Sequence, residues 1–163
     1  TTLGRRLRAV EVYNLFGDDL EEWLSRAGYE RRGKQIGPVL GASLLGASLY
    51  ELPPGERTWP YHYEYGCEEW LLVVSGEPTL RTPAGERVLA PGDVLAFPEG
   101  PDGAHQVVNR SDAPARVLIL STKGKPAIAV YPDSGKIGVW TGDDDDDALF
   151  RAGDAVDYWE GEA

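Results

Sequence analysis

The stretch YHYEYGCEEW, residues 61–70, places His62 two residues before Glu64 and seven before Glu69. The chain has one other histidine, His105. Imidazole and carboxylate bind divalent first-row metals, and two histidines with one carboxylate make the ligand set of a facial metal triad. Strand side chains alternate between faces. On 60–65 that puts Pro60, His62 and Glu64 on one face and Tyr61, Tyr63 and Tyr65 on the other. On 69–73, Glu69 shares a face with Leu71 and Val73, so if those two point into a core, Glu69 does too. A carboxylate in an apolar interior is costly without a cation, an arginine or a water-filled opening to compensate it. A single strand histidine is commonly a surface or satisfied core residue, and H-x-E alone is weak, so the spacing of the surrounding residues has to decide.

The elements around these residues are short. DDLEEWLSRAGYE (18–30) predicts the one helix: Asp18 or Asp19 caps it, acids fill its first turn, and Leu20, Trp23 and Leu24 recur at helical spacing up to Gly28. From residue 35 the period changes to two. Strand-like runs such as EEWLLVVSG, GDVLAFP, GAHQVVNRS and ARVLILST are each bounded by Gly, Pro, Asp, Asn or Ser. The PAGE turn between Leu80 and Leu89 predicts a hairpin, and AIAVYPDSGKIGVW predicts another around Pro132–Gly135. AVDYWEGE at the end reads as a further strand pair or a docked tail. About ten short strands with little helix define an all-β sandwich or barrel.

The chain has 163 residues, enough for one domain with a real core. Its 27 acidic residues against 16 basic ones give a net charge of −11, a field that repels phosphate backbones and anionic lipid. Nucleic acid and membrane are therefore not expected partners. The five consecutive aspartates, Asp143–Asp147, repel one another and predict a solvated loop without the alternating spacing of a calcium loop. Cys67 is the single cysteine, so no intrachain disulfide forms. The basic start of the chain is followed by no long apolar run, and no stretch approaches the ~20 apolar residues of a membrane span. The expected location is the cytoplasm. Dinucleotide, phosphate-loop and G-x-S-x-G fingerprints are absent from the sequence.

The spacing resembles the cupins, small β-barrels whose first motif is written G-x(5)-H-x-H-x(3,4)-E-x(6)-G and second G-x(5)-P-x-G-x(2)-H-x(3)-N. Here the first reads Gly55, six residues, His62, one, Glu64, four, Glu69, six, Gly76. The second reads Gly92, five residues, Pro98, one, Gly100, four, His105, three, Asn109, and fifteen residues separate Gly76 from Gly92. The longer flanks look like those of single-domain bacterial cupins with a cupin 2-type conserved barrel. The resemblance implies an all-β double-stranded β-helix, or jelly-roll, barrel with a short N-terminal helix and a C-terminal β-hairpin extension. It implies one domain over 1–163, with an N-terminal extension at 1–34, a barrel core at 35–124, and the hairpin and acidic tail at 125–163. It carries the family's metal ligands onto His62, Glu69 and His105, with Glu64 standing where the second histidine is expected.

That departure bears on the chemistry. Cupins bind iron, manganese, nickel, zinc or copper in different members. A second carboxylate would harden the site and favour manganese or iron(II) over copper, with nickel or zinc as the other candidates. Glu64 has three open roles: direct ligand, ligand through water, or general base. If its presence has cost the site its metal, His62, Glu64, Glu69 and His105 form a polar cluster in the barrel mouth. Cys67, between the glutamates, reads as a loop cysteine, with soft ligand or redox thiol as the alternatives. Tyr61, Tyr63, Tyr65 and Trp70 are expected on outward faces, where they would cover the barrel or form the interface of a homodimer. Three functions stay open: a metal-dependent dioxygenase, isomerase or lyase acting on a small oxygen-bearing metabolite; a non-catalytic module binding a sugar or organic acid; and a barrel that metal merely rigidifies.

Overall fold

The computed structural model describes residues 10–162, and these form thirteen antiparallel strands and one short helix. The basic start of the chain, 1–9, on which the expectation of no leader partly rests, lies outside the described residues. Strands β1 (Glu21–Leu24), β2 (Arg31–Gln35) and β3 (Leu45–Leu52) are followed by β4 (Tyr63–Tyr65), β5 (Glu69–Ser75), β6 (Thr79–Thr82) and β7 (Gly85–Val88). Then come β8 (Val94–Phe97), β9 (Gln106–Val108), β10 (Ala115–Thr122), β11 (Ala127–Tyr131), β12 (Lys136–Trp140) and β13 (Ala148–Arg151). One wall of the barrel is a six-stranded sheet in the order β1-β2-β3-β10-β5-β8. The other wall is a four-stranded sheet, β13-β12-β11-β4, and a three-stranded one, β7-β6-β9. Isolated bridges Arg57–Val108 and His62–His105 join the segment leading into β4 to the neighbourhood of β9.

Alternation sorts the side chains into two cores. Tyr50, Leu52, Leu71, Val73, Val107, Val117 and Ile119 face inward with Leu80, Leu89 and Phe97 and fill the barrel. The opposite face of the large sheet buries Leu49, Val74 and Leu118 against Leu20, Ile36, Tyr13 and Leu15. The N-terminal segment thus covers the back of that sheet, a role apolar burial requires of any element laid there.

The helix expected over 18–30 is not formed. Glu21–Leu24 is instead an edge strand, with Glu21 opposite Gly33 and Glu22 opposite Arg32. Helix propensity is a weak local preference, and the tertiary packing of this segment outweighs it. Trp23 packs edge-on against Tyr50 at 5.2 Å, while Leu20 goes to the outer core. Gly33 makes the room: a Cβ there would stand 2.7 Å from the Trp23 ring. The single short α-helix, α1, is Ile36–Val39, where Ile36 plugs the outer core. β1 and β2 therefore build 21–35 into the large sheet rather than leaving it as an appendage.

The two expected hairpins are present, β6–β7 with Thr82 opposite Gly85, and β11–β12 with Tyr131 opposite Lys136. The second docks on β4, with Ala129 opposite Glu64, so the C-terminal extension forms part of the wall around the site. Asp143–Asp147 is a loop, held at its end by Asp147, whose Oδ1 accepts from the Thr141 amide at 2.7 Å. AVDYWEGE forms neither a strand pair nor a docked tail: it is a turn with Tyr158 81% and Trp159 72% exposed.

Candidate metal centre

His62 and His105 are brought together by the backbone before any side chain acts. The His62 amide donates to the His105 carbonyl at 3.1 Å, and the His105 amide returns a bond at 2.8 Å. Directly opposed residues point to the same side of the sheet. Their rings lie 4.7 Å apart between centroids, and both residues are buried. Each imidazole is then fixed in the same way. Nδ1 of His62 donates to the Pro60 carbonyl at 2.8 Å, and Nδ1 of His105 donates to the Gly103 carbonyl at 2.9 Å. A carbonyl only accepts, so Nδ1 carries the proton and Nε2 is the free end of each ring. The loop before His105 is shaped for this. Gly100 has φ of +83°, and a Cβ on Gly103 would stand 1.7 Å from the Pro98 carbonyl oxygen.

Glu69 opens β5 opposite Phe97. Its Oε1 lies 3.0 Å from Nε2 of His105. The donor atoms of His62, Glu69 and His105 all lie within 4.8 Å of one another. With Nδ1 committed to a carbonyl, a neutral His105 would set a bare nitrogen against a carboxylate oxygen. Such an apposition calls for a shared proton or a cation between them. Burial, and then the adjacent His105, hold His62 below the ordinary imidazole range and so in its neutral, metal-binding form. Two imidazoles with backbone-locked Nδ1 and one carboxylate fit a divalent ion.

Glu64 stands outside this group. Its Oε1 is 4.0 Å from Nε2 of His62. Burial, and then the Glu69 carboxylate, raise it above the ordinary carboxylate range. The donor set is therefore two imidazoles and one carboxylate, with a second carboxylate beside it. Cys67 faces the Thr122 carbonyl at 3.2 Å, and burial followed by the Glu64 charge pushes its thiol up to about 12. A thiol so placed is neither a ready ligand nor a reactive nucleophile.

Two aromatic rings that the sequence did not single out complete the site. Phe97 lies flat on His105, 3.5 Å between centroids and 6° between planes. Tyr131 stacks on His62 at 5.8 Å and 22°. Alternation along LAFP points Phe97 inward with Leu95. Nothing local signals Tyr131, which arrives because its hairpin docks on β4. Of the aromatics expected outward, Tyr65 and Trp70 are exposed, at 41% and 45%. Tyr61 is buried instead, under the Arg81 guanidinium at 3.9 Å from its ring.

The second motif's last residue is structural. Asn109 is fully buried, its Nδ2 donating to the Leu52 carbonyl at 2.9 Å and the Ala113 carbonyl at 2.7 Å. Its Oδ1 accepts from the Ser111 hydroxyl at 2.7 Å. The residue clamps the turn after β9 to the end of β3.

A jelly-roll barrel with a histidine–carboxylate cluster inside it defines a cupin, and the comparisons agree. Residues 48–121 match the cupin domain family model. A sugar phosphate isomerase of the cupin superfamily from Silicibacter pomeroyi is 32% identical, with a TM-score of 0.71 over 80% of this chain and 82% of its own. A protein of Acidithiobacillus ferrooxidans, provisionally named a sugar phosphate isomerase, is 25% identical, with a TM-score of 0.73 over 80% of this chain and 81% of its own. The polyketide cyclase RemF from Streptomyces resistomycificus, 23% identical, shares the fold with a TM-score of 0.55 over 67% of this chain and 78% of its own. No curated protein matches. The chain belongs to the cupin superfamily. Among the described residues no helix is long and apolar enough to cross a membrane.

Proposed function

We propose that this cupin is a metal-dependent isomerase that moves a proton between adjacent carbons of a small hydroxy-carbonyl compound, with phosphorylated sugars as the substrate class. The observation that carries the reading is the placement of Glu64: a carboxylate kept beside the His62–Glu69–His105 cluster, 4.0 Å from His62, without joining it. The similarity to a cupin-superfamily sugar phosphate isomerase supports the substrate class. His62, Glu69 and His105 would hold the ion, a two-histidine, one-carboxylate set that suits iron(II). A divalent cation bound there would supply Lewis-acid polarisation of a substrate oxygen, making the neighbouring C–H more acidic. Glu64 takes that proton and returns it to the adjacent carbon. Tyr131 and Phe97 brace the two imidazoles.

The test is proton exchange rather than product yield. Protein loaded with manganese or iron(II) is incubated in deuterium oxide with a panel of phosphorylated aldoses and ketoses, and NMR reads deuterium entering beside the carbonyl. Exchange that disappears in Glu64→Gln, with metal content unchanged, is the expected result. Exchange that survives the substitution, or is absent across the panel, removes the reading. One observation favours a second function. The 3.0 Å approach of Glu69 to His105 also suits an imidazolium–carboxylate pair, which would leave a metal-free module binding a sugar or organic acid. That alternative predicts no metal uptake from any divalent salt.

A further inference from the structure

A cavity of about 540 Å³ lies beside the segment that leads into β4. None of His62, Glu64, Glu69 and His105 lines it. Tyr61 and Gln106 line it, while His62 and His105, their neighbours in sequence, turn inward. Its charge is the reverse of the molecule's. Arg26, Arg57, Arg81 and Lys136 line it against one carboxylate, Asp133, in a chain of net charge −11.

These cations are not equivalent. Arg81 is already neutralised, its two terminal nitrogens bonding Asp133 at 2.6 and 2.9 Å. This fork pins the β11–β12 turn to β6 and forms the cleft's rigid side. Arg26, Arg57 and Lys136 have no carboxylate within ion-pairing distance among the described residues. Nε of Arg57 is buried and lacks any hydrogen-bond acceptor. A further cation stands behind the cleft: Arg31, 2% exposed, stacks 4.0 Å over the Trp59 ring, and its Nε and Nη2 also lack partners. Tyr29 and Trp59 add aromatic surface to the lining.

We propose that this cleft binds a small phosphorylated metabolite at a site distinct from the metal centre. Three unpaired cations suit a dianion, and guanidinium forks match the geometry of phosphate oxygens. A neutral sugar would leave the charges uncompensated. The aromatic lining offers a surface for the carbon skeleton attached to the phosphate. The inference uses neither the metal nor the isomerase reading. The two sites are nevertheless adjacent: Lys136 Nζ lies 5.5 Å from the ring of Tyr131, and that ring stacks on His62.

The experiment is calorimetric titration of metal-stripped protein with inorganic phosphate and with glycerol phosphate, at constant ionic strength set by chloride. Wild type, Arg26→Gln, Lys136→Gln and His105→Ala are compared. Arg26 is exposed, so its replacement leaves folding intact. Saturable binding, at least about tenfold weaker in both cleft variants and retained in His105→Ala, is the expected result. Binding untouched by both cleft substitutions, or lost only in His105→Ala, would place the anion in the barrel and overturn the proposal. Heats that track ionic strength without saturating overturn it as well. So does a phosphate-sensitive dimer in sedimentation that the cleft variants abolish, because the cleft would then hold an acidic segment of a second copy. Since metal and turnover take no part, failure here leaves the isomerase reading standing, and the reverse is also true.

Discussion

Phe97 and His105 are stacked face to face, the closest ring pair among the described residues at 3.5 Å. The ring faces Glu69 across the β5–β8 register, so one side chain braces both the imidazole and the strand that bears the carboxylate. Phe97→Ala would remove a 6% exposed ring from the barrel core and is expected to cost about 3–5 kcal/mol in urea unfolding. Phe97→Leu should cost less and still weaken metal binding, because it fills volume without a flat face for His105. A variant that loses stability while holding metal as tightly as wild type would show that the stacking does not orient the ligand.

Asn109 lies in the same motif as His105 yet does no chemistry. Four polar atoms depend on it: two carbonyls, the Ser111 amide and the Ser111 hydroxyl. Asn109→Ala strands these groups and is expected to cost about 2–4 kcal/mol. Metal content per folded molecule should be unchanged, as read by elemental analysis of the soluble fraction. A large loss of metal at full folding would contradict a purely structural clamp.

The N-terminal cover makes a pH-dependent contribution. Tyr13 donates to Asp19 at 2.7 Å, and burial followed by that bond pushes the phenol up to about 12, while Asp19 is held below the ordinary carboxylate range. A raised phenol keeps its proton in the folded state after the unfolded chain has lost it. The Tyr13 contribution is therefore complete below the ordinary tyrosine value of 10 and is lost as pH rises toward about 12. The lowered Asp19 works in the opposite window: its contribution is present above the ordinary aspartate value of 3.8 and fades as pH falls through the folded value. Tyr13→Phe should flatten the alkaline part of the stability profile. An alkaline limb as steep as wild type would exclude Tyr13 as its source.

Alternation tied Glu69 to the inward face of Leu71 and Val73, because a strand turns every second side chain the same way, and the resemblance in motif spacing grouped it with His62 and His105. Helical spacing and a capping signal misled at 18–30. There the deciding interactions are non-local: pairing with β2, Trp23 on Tyr50, and the gap left by Gly33. Glu64 shows the limit of a periodic argument. It shares a face with His62 and comes within 4.0 Å of its Nε2, yet it is not among the three residues whose donor atoms all converge. Tyr131 was beyond reach for another reason. Its place over His62 follows from the docking of a hairpin on β4, and no residue pattern within 127–140 encodes that partner.

The two carboxylates should separate cleanly when metal is measured. Glu69 shares a donor cluster with both histidines, whereas Glu64 approaches one of them at 4.0 Å. Glu69→Gln removes the charge of the only carboxylate in the cluster and should weaken manganese binding by more than about a hundredfold, with His105→Ala at least as severe. Glu64→Gln should change affinity by no more than the roughly ten- to hundredfold expected of a neighbour to the ligands. Because binding to the folded state alone raises stability, metal at a hundred times its dissociation constant adds about 2.7 kcal/mol. Thermal shift against manganese concentration therefore reads all three variants without a substrate. Wild type and Glu64→Gln should both melt higher as manganese is added, and Glu69→Gln and His105→Ala should not. Equal losses in Glu64→Gln and Glu69→Gln would make Glu64 a ligand, and the proton transfer assigned to it would have to pass to another group.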